Sequence, residues 1–272
     1  MKRWCLLTLV LLLDSCGGVP EQPVSEPVSA FSSLPDYSAE QPSEPSSEIA
    51  SSEETVDPRL AELAALHEQN NDLAGWITIS DTGIDFPVMQ RDNSFYLTHG
   101  FDGKWDKDGL PFMDSRCLLR EGMFSVNTLI YGHNMDGQVF RDLTFYRELD
   151  YYKEHPFVTF DTIHDLGQWV VFACFEANTE PRFGPVFEYY NFINDHDPKQ
   201  IQWYLDEVKS RSFFLSPVEV NAEDILLTLQ TCANDRYETK VCVAARKLRE
   251  DEMLDSFDFE SAEENLDRLK AR

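Results

Sequence analysis

The sequence predicts a mostly β protein whose short strands form a closed or nearly closed barrel. Apolar runs rich in β-branched and aromatic residues recur through the body of the chain. Turn signals such as Asp81-Thr82-Gly83 separate these runs. Helical periodicity is confined to a few stretches, so strands dominate the prediction.

The chain starts with a leader typical of secreted proteins. Lys2 and Arg3 precede an apolar run from Trp4 to Leu13. The run has about ten residues, fewer than the roughly 20 that span a bilayer. Residues 1–16 are therefore interpreted as a secretion leader.

The end of the leader resembles a bacterial lipoprotein box. In LDSCG, Cys16 would be lipidated and become the mature N-terminus, and two glycines follow it. Asp14 departs from the pattern, because this position is usually small and uncharged. Cleaved secretion and an uncleaved anchor remain alternatives to lipidation.

Residues 17–57 form a spacer rich in Pro, Ser and Glu. Residues 17–56 contain no Lys or Arg. Such a segment buries too little apolar surface to offset its ordering entropy, and its prolines and like charges keep it extended. We expect a disordered linker that holds the following domain away from the membrane.

Ordered structure is expected over residues 58–250. Asp57-Pro58 predicts a helix start, with an N-cap acceptor followed by proline in the first turn. Asp197-Pro198 predicts the start of a second helix. The strand candidates are GWITIS, GIDFPVMQ, PFMD, NTLIYGHN, PFVTFDT, QWVVFACFEA, DILLTLQTC and KVCVAARKL. Residues 251–272 are interpreted as a tail, either an acidic amphipathic helix or a frayed end.

Charge and cysteine usage exclude several classes of protein. The net charge is −26, from 23 basic and 49 acidic residues, which argues against a nucleic-acid partner. None of the six cysteines has the C-x-x-C spacing of a zinc or redox site. The acidic loop at Asp102, Asp106 and Asp108 lacks the spacing of a calcium loop. We therefore predict no metal and no cofactor.

One constellation of residues carries chemistry. Cys232 ends the strand DILLTLQTC, His133 follows the strand NTLIY, and Lys240 opens KVCVAARKL. A hairpin between the two late strands would bring Lys240 beside Cys232. A thiolate nucleophile, an acid/base and a cation suit acyl transfer, because the histidine exchanges protons with amines and a cation stabilises the oxyanion.

The other cysteines of the body have simpler interpretations. Cys174 lies in a buried strand pattern and is expected in the core. Alternation places Cys242 on the same face as Lys240, yet a structural role is expected for it too. Cys117 follows a turn and is expected to be partly exposed, with no partner.

The sequence resembles the sortases, cysteine transpeptidases of Gram-positive cell surfaces, over roughly residues 60–249. TLQTC is similar to their TLxTC motif, and NTLIYGHNM resembles the strand with their catalytic histidine. The runs GWITISDTGIDFPVMQ, FYLTHGFDG, PFMDSRC, YGHNMDGQVFRDLTFY, YYKEHPFVTFDT and QIQWYLDEVKSRSFF resemble class B. The resemblance implies a closed eight-stranded barrel, with an N-terminal helix and a helix between late strands.

The resemblance also implies roles for individual residues. Cys232 stands at the nucleophile position, His133 at the general acid/base position, and Thr231 at a position that contacts the oxyanion or substrate. The family has an arginine where this chain has Lys240, and lysine lacks the planar guanidinium fork. Arg236 in the preceding loop is an alternative cation, and a third possibility is that no cation serves.

The implied function is anchoring of secreted proteins. The enzyme would cleave a C-terminal sorting signal and join the acyl group to an amine of a peptidoglycan precursor or a pilin. It would act outside a Gram-positive cell, anchored at its N-terminus. The alternatives are a catalytically weak or inactive peptide-binding module and a hydrolytic cysteine peptidase.

Overall fold

The computed structural model describes residues 57–135, 138–233 and 239–268. The leader with Cys16, residues 17–56 of the spacer, and Arg236 lie outside the described residues. No helix in the part of the chain that the structure describes has the length and apolarity needed to cross a bilayer. The described residues belong to one compact unit.

The first helix begins where the sequence predicts it. Helix α1 spans Pro58–Gln69, and the Asp57 carboxylate accepts a hydrogen bond from the Arg59 backbone N–H at 2.7 Å. This capping satisfies one of the donors left open at a helix start. Leu63 is fully buried beneath the helix and fixes it to the barrel.

Eight strands close into a barrel, as the resemblance implies. They are β1 (Leu73–Thr78), β2 (Asp85–Met89), β3 (Phe112–Met113), β4 (Asn127–Tyr131), β5 (Phe157–Thr162), β6 (Gln168–Asn178), β7 (Leu226–Cys232) and β8 (Thr239–Lys247). Their order around the barrel is β1-β2-β3-β4-β7-β8-β6-β5, and β5 pairs with β1 to close it.

Shorter elements connect the strands. Helix α2 spans Leu149–Glu154, and helix α3 spans Pro198–Arg211 between β6 and β7. Two-residue strands pair outside the barrel: Leu119–Arg120 with Met123–Phe124, Asn134–Met135 with Gln138–Val139, and Phe214–Leu215 with Glu263–Glu264. The 3-10 helices span Phe95–Leu97, Arg141–Arg147, Pro181–Phe183, Tyr189–Asn191, Leu254–Ser256 and Phe259–Ser261.

Strand pairing brings the predicted site residues to one end of the barrel. Strand β7 runs parallel to β4, with Gln230 opposite Tyr131. It runs antiparallel to β8, with Cys232 directly opposite Lys240. Because parallel strands end at the same edge, the segment after Tyr131 lies beside the end of β7.

The core has two main parts on the two sides of the sheet. One fills the barrel interior and includes Cys174 and Val243. The other lies between the outer barrel wall and α3, where Cys242 packs with Tyr204. Cys242 is thus a buried structural residue, as expected.

Two sequence-based expectations are wrong. Cys117 is only 5% exposed, because it packs in the barrel interior, where its Sγ accepts a hydrogen bond from the Leu129 backbone N–H. The C-terminal tail forms no amphipathic helix over the residues that the structure describes there. Phe257 and Phe259 pack against the outer wall, and the tail then makes the short pairing with residues 214–215. The acidic pattern of the tail conceals these aromatic contacts.

Candidate active site

The predicted nucleophile lies at the last position of β7, where the barrel opens. Cys232 is half-buried, and its carbonyl accepts a hydrogen bond from the Asn134 side-chain amide at 2.7 Å. The Ala233 backbone N–H bonds to the carbonyl of Thr239 at 2.9 Å, which closes the hairpin just beyond the cysteine. The backbone around the thiol is thereby held on both sides.

Lys240 is the cation that the hairpin brings to this thiol. Its Nζ donates a hydrogen bond to Cys232 Sγ at 3.4 Å. The two residues are direct partners across antiparallel strands, so their side chains project from the same face. An ammonium at this distance can stabilise a Cys232 thiolate. It can also stabilise an oxyanion on a substrate carbonyl carbon that has bonded to the sulfur.

The predicted acid/base lies on the segment that follows β4. His133 Nε2 is 2.8 Å from the carbonyl oxygen of Leu97. A carbonyl only accepts hydrogen bonds, so Nε2 carries a proton in this geometry and Nδ1 is left for proton exchange. The carbonyl of His133 accepts a bond from the Phe140 N–H at 2.9 Å, which fixes the turn.

Thr231 links the histidine segment to the nucleophile strand. Its fully buried hydroxyl donates to the carbonyl of Gly132 at 2.9 Å, and the Gly132 N–H donates to the carbonyl of Gln230 at 3.0 Å. A Cβ on Gly132 would come within 2.5 Å of the Phe140 ring, so this position requires glycine. The Thr231 hydroxyl therefore holds the histidine segment to β7, and the expected contact of Thr231 with the oxyanion or substrate stays a prediction.

The predicted nucleophile, acid/base and cation surround one open cavity of about 460 Å³. Leu97, Tyr131, Thr179, Tyr190 and Gln230 are among the other residues that line it. The lining mixes aromatic and aliphatic surface with a few polar groups, as peptide and small-molecule sites do.

A buried carboxylate in the cavity wall was missed by the sequence analysis. Asp114 is 1% exposed and accepts hydrogen bonds from Arg116 Nε and Nη2, at 2.9 and 2.8 Å. It also accepts from the Tyr131 hydroxyl at 2.8 Å and the Asn93 amide at 3.1 Å. Burial acts to raise the pKa of Asp114, but the Arg116 and Tyr131 hydrogen bonds outweigh it and hold that pKa below its usual value.

Arg116 brings a second cation to the cavity. Its side chain is 49% exposed, and Nη2 also donates to the carbonyl of Tyr190 at 2.7 Å. The sequence does contain a signal for this Asp114–Arg116 pair. Asp114 is a carboxylate directly after the apolar residues of β3, and the arginine follows two residues later.

The other three cysteines among the described residues are free and buried. Burial raises the pKa of the Cys117 thiol to about 11, and it raises the pKa values of Cys174 and Cys242 further. Such thiols are poor nucleophiles near neutral pH. No group of His, Cys, Asp and Glu within the described ranges could hold a metal ion.

Two arginines were considered beside Lys240 as the cation of the site, Arg246 and Arg236. Arg246 lies opposite Leu226, at the far end of the β7–β8 hairpin, and binds Glu252 there. It is remote from Cys232, as expected. Arg236 falls outside the described residues, so its role as an alternative remains a prediction.

A β-barrel that opens on a cysteine, a histidine and a cation is the arrangement expected of a cysteine acyl-transfer protein. A scan against protein-family models gives no match. Sortase B of Listeria monocytogenes is 34% identical over 192 residues, which cover 69% of this chain and 74% of the relative. The chain belongs to the class B sortases, a family of cysteine transpeptidases.

Solved structures agree with this assignment. A Staphylococcus aureus sortase B–substrate complex matches with a TM-score of 0.63 and 29% identity, over 70% of this chain and 86% of that one. A sortase B structure complexed with triglycine matches with the same values. These neighbours are what the chain resembles in fold.

Proposed function

We propose that this chain cleaves a C-terminal sorting signal of secreted proteins and transfers the acyl fragment to an amine. The observation that carries the proposal is the contact of Lys240 Nζ with Cys232 Sγ at 3.4 Å, in a cavity that His133 also lines. Nucleophile, proton carrier and oxyanion donor are the three groups that acyl transfer requires.

In the first half-reaction, Cys232 Sγ gives its proton to His133 Nδ1 and attacks the carbonyl carbon of a Thr residue in the signal. The Lys240 ammonium stabilises the oxyanion that forms. His133 Nδ1 donates a proton to the leaving amine, the C–N bond breaks, and a thioester to Cys232 remains. Thr231 contributes by holding Gly132, and with it the histidine turn, against β7.

In the second half-reaction, an acceptor amine attacks the thioester and His133 takes up its proton. The S–C bond breaks, an amide forms, and the proton held by His133 passes to the sulfur and restores the thiol. The acceptor is an amine of a peptidoglycan precursor or a pilin, and water is a slow substitute. A sortase B structure holding triglycine supports an oligoglycine amine as the first acceptor to test.

The proposed location is the outer face of a Gram-positive cell membrane. Sortases are cell-surface enzymes, and the apolar run from Trp4 to Leu13 supports secretion with N-terminal anchoring. The Pro/Ser/Glu-rich spacer would place the barrel away from the membrane. Growth with labelled palmitate would detect lipid on Cys16, and a Cys16→Ser variant would lose the label.

Trapping of the thioester tests the proposed reaction. The purified chain is incubated with a library of Thr-containing sorting peptides, with and without triglycine, and its intact mass is measured. We expect an acyl adduct that maps to Cys232, and triglycine converts it to a ligated peptide. Cys117, Cys174 and Cys242 serve as internal controls that stay unmodified.

A peptide-binding module without catalysis is the second candidate, favoured by lysine at the family's arginine position. A Cys232→Ala variant separates the two. If wild type binds a peptide, forms no adduct on prolonged incubation and resists a thiol-reactive probe at Cys232, the transpeptidase proposal fails. If Cys232→Ala still cleaves, Cys232 is not the nucleophile.

A further inference from the structure

The open end of the barrel holds a thiol and an amine in direct contact. Cys232 Sγ and Lys240 Nζ are 3.4 Å apart, and both residues are half-buried at the edge of the cavity. Their positions are opposite each other on β7 and β8. A covalent bond between the two side chains therefore requires movement of the flexible lysine stem alone.

An accessible thiol of this kind faces an oxidation hazard. A peroxide converts a thiolate to a sulfenic acid, which either condenses with a nearby nucleophile or oxidises further to an irreversible sulfinic acid. The other described cysteines, Cys117, Cys174 and Cys242, are buried and do not line the cavity. No described thiol is thus available to resolve a sulfenic acid at Cys232.

Lysine differs from the family's arginine in one respect that matters here. A guanidinium stays protonated in proteins, whereas a lysine amine can lose its proton and form covalent bonds. The departure at residue 240 therefore adds a nitrogen nucleophile within contact of the sulfur while keeping a cation at the site.

We propose that Cys232 and Lys240 are a covalent modification site, at which a peroxide produces a reversible sulfur–nitrogen cross-link. The cross-link goes beyond the proposed transpeptidase function and does not depend on which peptide the enzyme accepts. It holds the thiol in a reducible form and prevents oxidation to the sulfinic acid.

The cross-link forms in two balanced steps. The Cys232 thiolate attacks one peroxide oxygen, the O–O bond breaks, and the released hydroxide takes a proton from the Lys240 ammonium to become water, which leaves the amine neutral. The neutral Lys240 amine then attacks the sulfenic sulfur, the S–N bond forms, and the S–O bond breaks. Hydroxide and one amine proton leave as a second water, so the protein loses two hydrogen atoms.

A thiol reductant reverses the modification. One reductant thiol attacks the sulfur, the S–N bond breaks, and the nitrogen takes up a proton. A second reductant thiol then resolves the mixed disulfide and restores Cys232. Irreversible sulfinic acid shows no such recovery.

The test uses the full chain, hydrogen peroxide as the oxidant and dithiothreitol as the reductant. After treatment with peroxide in several-fold molar excess, because sulfinic acid formation consumes about two peroxides per thiol, and removal of the remainder with catalase, we expect a mass loss of about 2 Da relative to the reduced chain. Tryptic mapping then shows the peptide ending at Arg236 joined to one with uncleaved Lys240. Dithiothreitol restores the original mass and cleavage at Lys240.

Lys240→Arg is the matched control, because it keeps a cation on β8 without an amine. Under the same treatment it gains about 32 Da as sulfinic acid, and dithiothreitol does not reverse the gain. Lys240→Gln serves in its place if the arginine variant fails to fold, and Cys232→Ala shows neither change. The wild-type peptide map stands independently of every variant.

Two results would overturn the proposal. One is equal accumulation of sulfinic acid in wild type and Lys240→Arg without a reducible species. The other is a mass loss of about 2 Da that maps to a cysteine pair. Neither result bears on thioester formation, which the peptide experiment measures separately.

Discussion

Among the basic residues of strand β8, Lys240 and Arg246 lie near opposite ends and have contrasting environments. Arg246 is 1% exposed and binds both carboxylate oxygens of Glu252 at 2.6 Å, as well as the carbonyl of Glu219 at 2.7 Å. Lys240 is half-buried, and its ammonium contacts the thiol of Cys232. The same strand thus carries Arg246, whose guanidinium is hydrogen-bonded to neighbouring acceptors, and Lys240, whose ammonium lies beside the Cys232 sulfur.

The difference separates structural from chemical use of a charge. A buried cation with its donors satisfied stabilises the fold, because loss of the ion leaves its partners unpaired. A cation at an open cavity can instead serve a charge that appears only during a reaction. Three substitutions test this distinction, in order of expected effect.

The largest effect is expected from Lys240→Ala. Loss of an oxyanion donor typically lowers a rate by about 10²–10³-fold, so thioester formation should slow by that factor. The midpoint of denaturant unfolding should change little, because the residue lies at the open end of the hairpin. Stopped assays with intact-mass detection measure the rate.

Lys240→Arg is the control for this substitution, because it restores a cation and the residue that the family has. Recovery of most of the rate would assign the role to charge. A Lys240→Ala rate within about twofold of wild type would remove Lys240 from the oxyanion role.

Arg246→Met should act on stability. We expect a loss of about 3 kcal/mol, the low end of the range for breaking a buried ion pair, because the Glu252 side chain keeps 17% exposure. Urea unfolding followed by tryptophan fluorescence measures it. Peptide cleavage by the fraction that remains folded should match wild type, and a selective loss of cleavage would contradict the comparison.

Acid titration sharpens the assignment of Arg246. Its hydrogen bonds to Glu252 lower the pKa of that carboxyl. A lowered folded-state pKa gives stability that is present above the unfolded value of about 4.3 and is lost as pH falls through the folded value. The difference between wild type and Arg246→Met should therefore shrink in acid.

Asp114→Asn is expected to have the smallest effect. Asp114 lies in the cavity wall, yet it is buried and paired with Arg116, so its charge should behave like that of a structural ion pair. Replacement should cost about 1–3 kcal/mol at neutral pH. Because the folded pKa of Asp114 is lowered, this cost should decline as pH falls below about 4.

Urea denaturation at several pH values, between neutral and moderately acidic, checks this expectation. An unchanged stability difference across the series would show that the Asp114 charge does not contribute. A large loss of activity with wild-type stability would instead assign Asp114 to the reaction and break the comparison.

Sequence patterns alone allowed much of the barrel to be predicted. Every apolar run proposed as a barrel strand contributes to one, because local alternation and turn residues specify strands at short range. The prediction of an amphipathic helix or a frayed end for the tail was wrong, because the spacing of apolar residues does not show which surface they pack against. The prediction that Cys117 is partly exposed was wrong for a similar reason, since the side chain of a residue after a turn can still point into the core.

Some residues of the candidate site could be predicted from the sequence and others could not. The placement of Cys232, His133 and Lys240 around one cavity could be predicted, because each lies at or near a strand end and the hairpin pairing of β7 with β8 follows from adjacency in sequence. Asp114 was missed because its partners Asn93 and Tyr131 are distant in sequence. Their convergence depends on β3 pairing with β4.

The sequence by itself determined the strand-rich composition, the helix starts at Asp57 and Asp197, and the choice of Cys232, His133 and Lys240 as candidate site residues, because these depend on local backbone preferences and residue chemistry. Only the tertiary structure decided which charges are satisfied. Arg246 and Lys240 are indistinguishable as cations on one strand in the sequence. In the fold, Arg246 binds the Glu252 carboxylate and the Glu219 carbonyl, which come from segments outside the barrel strands, whereas Lys240 lies beside Cys232 at an open cavity.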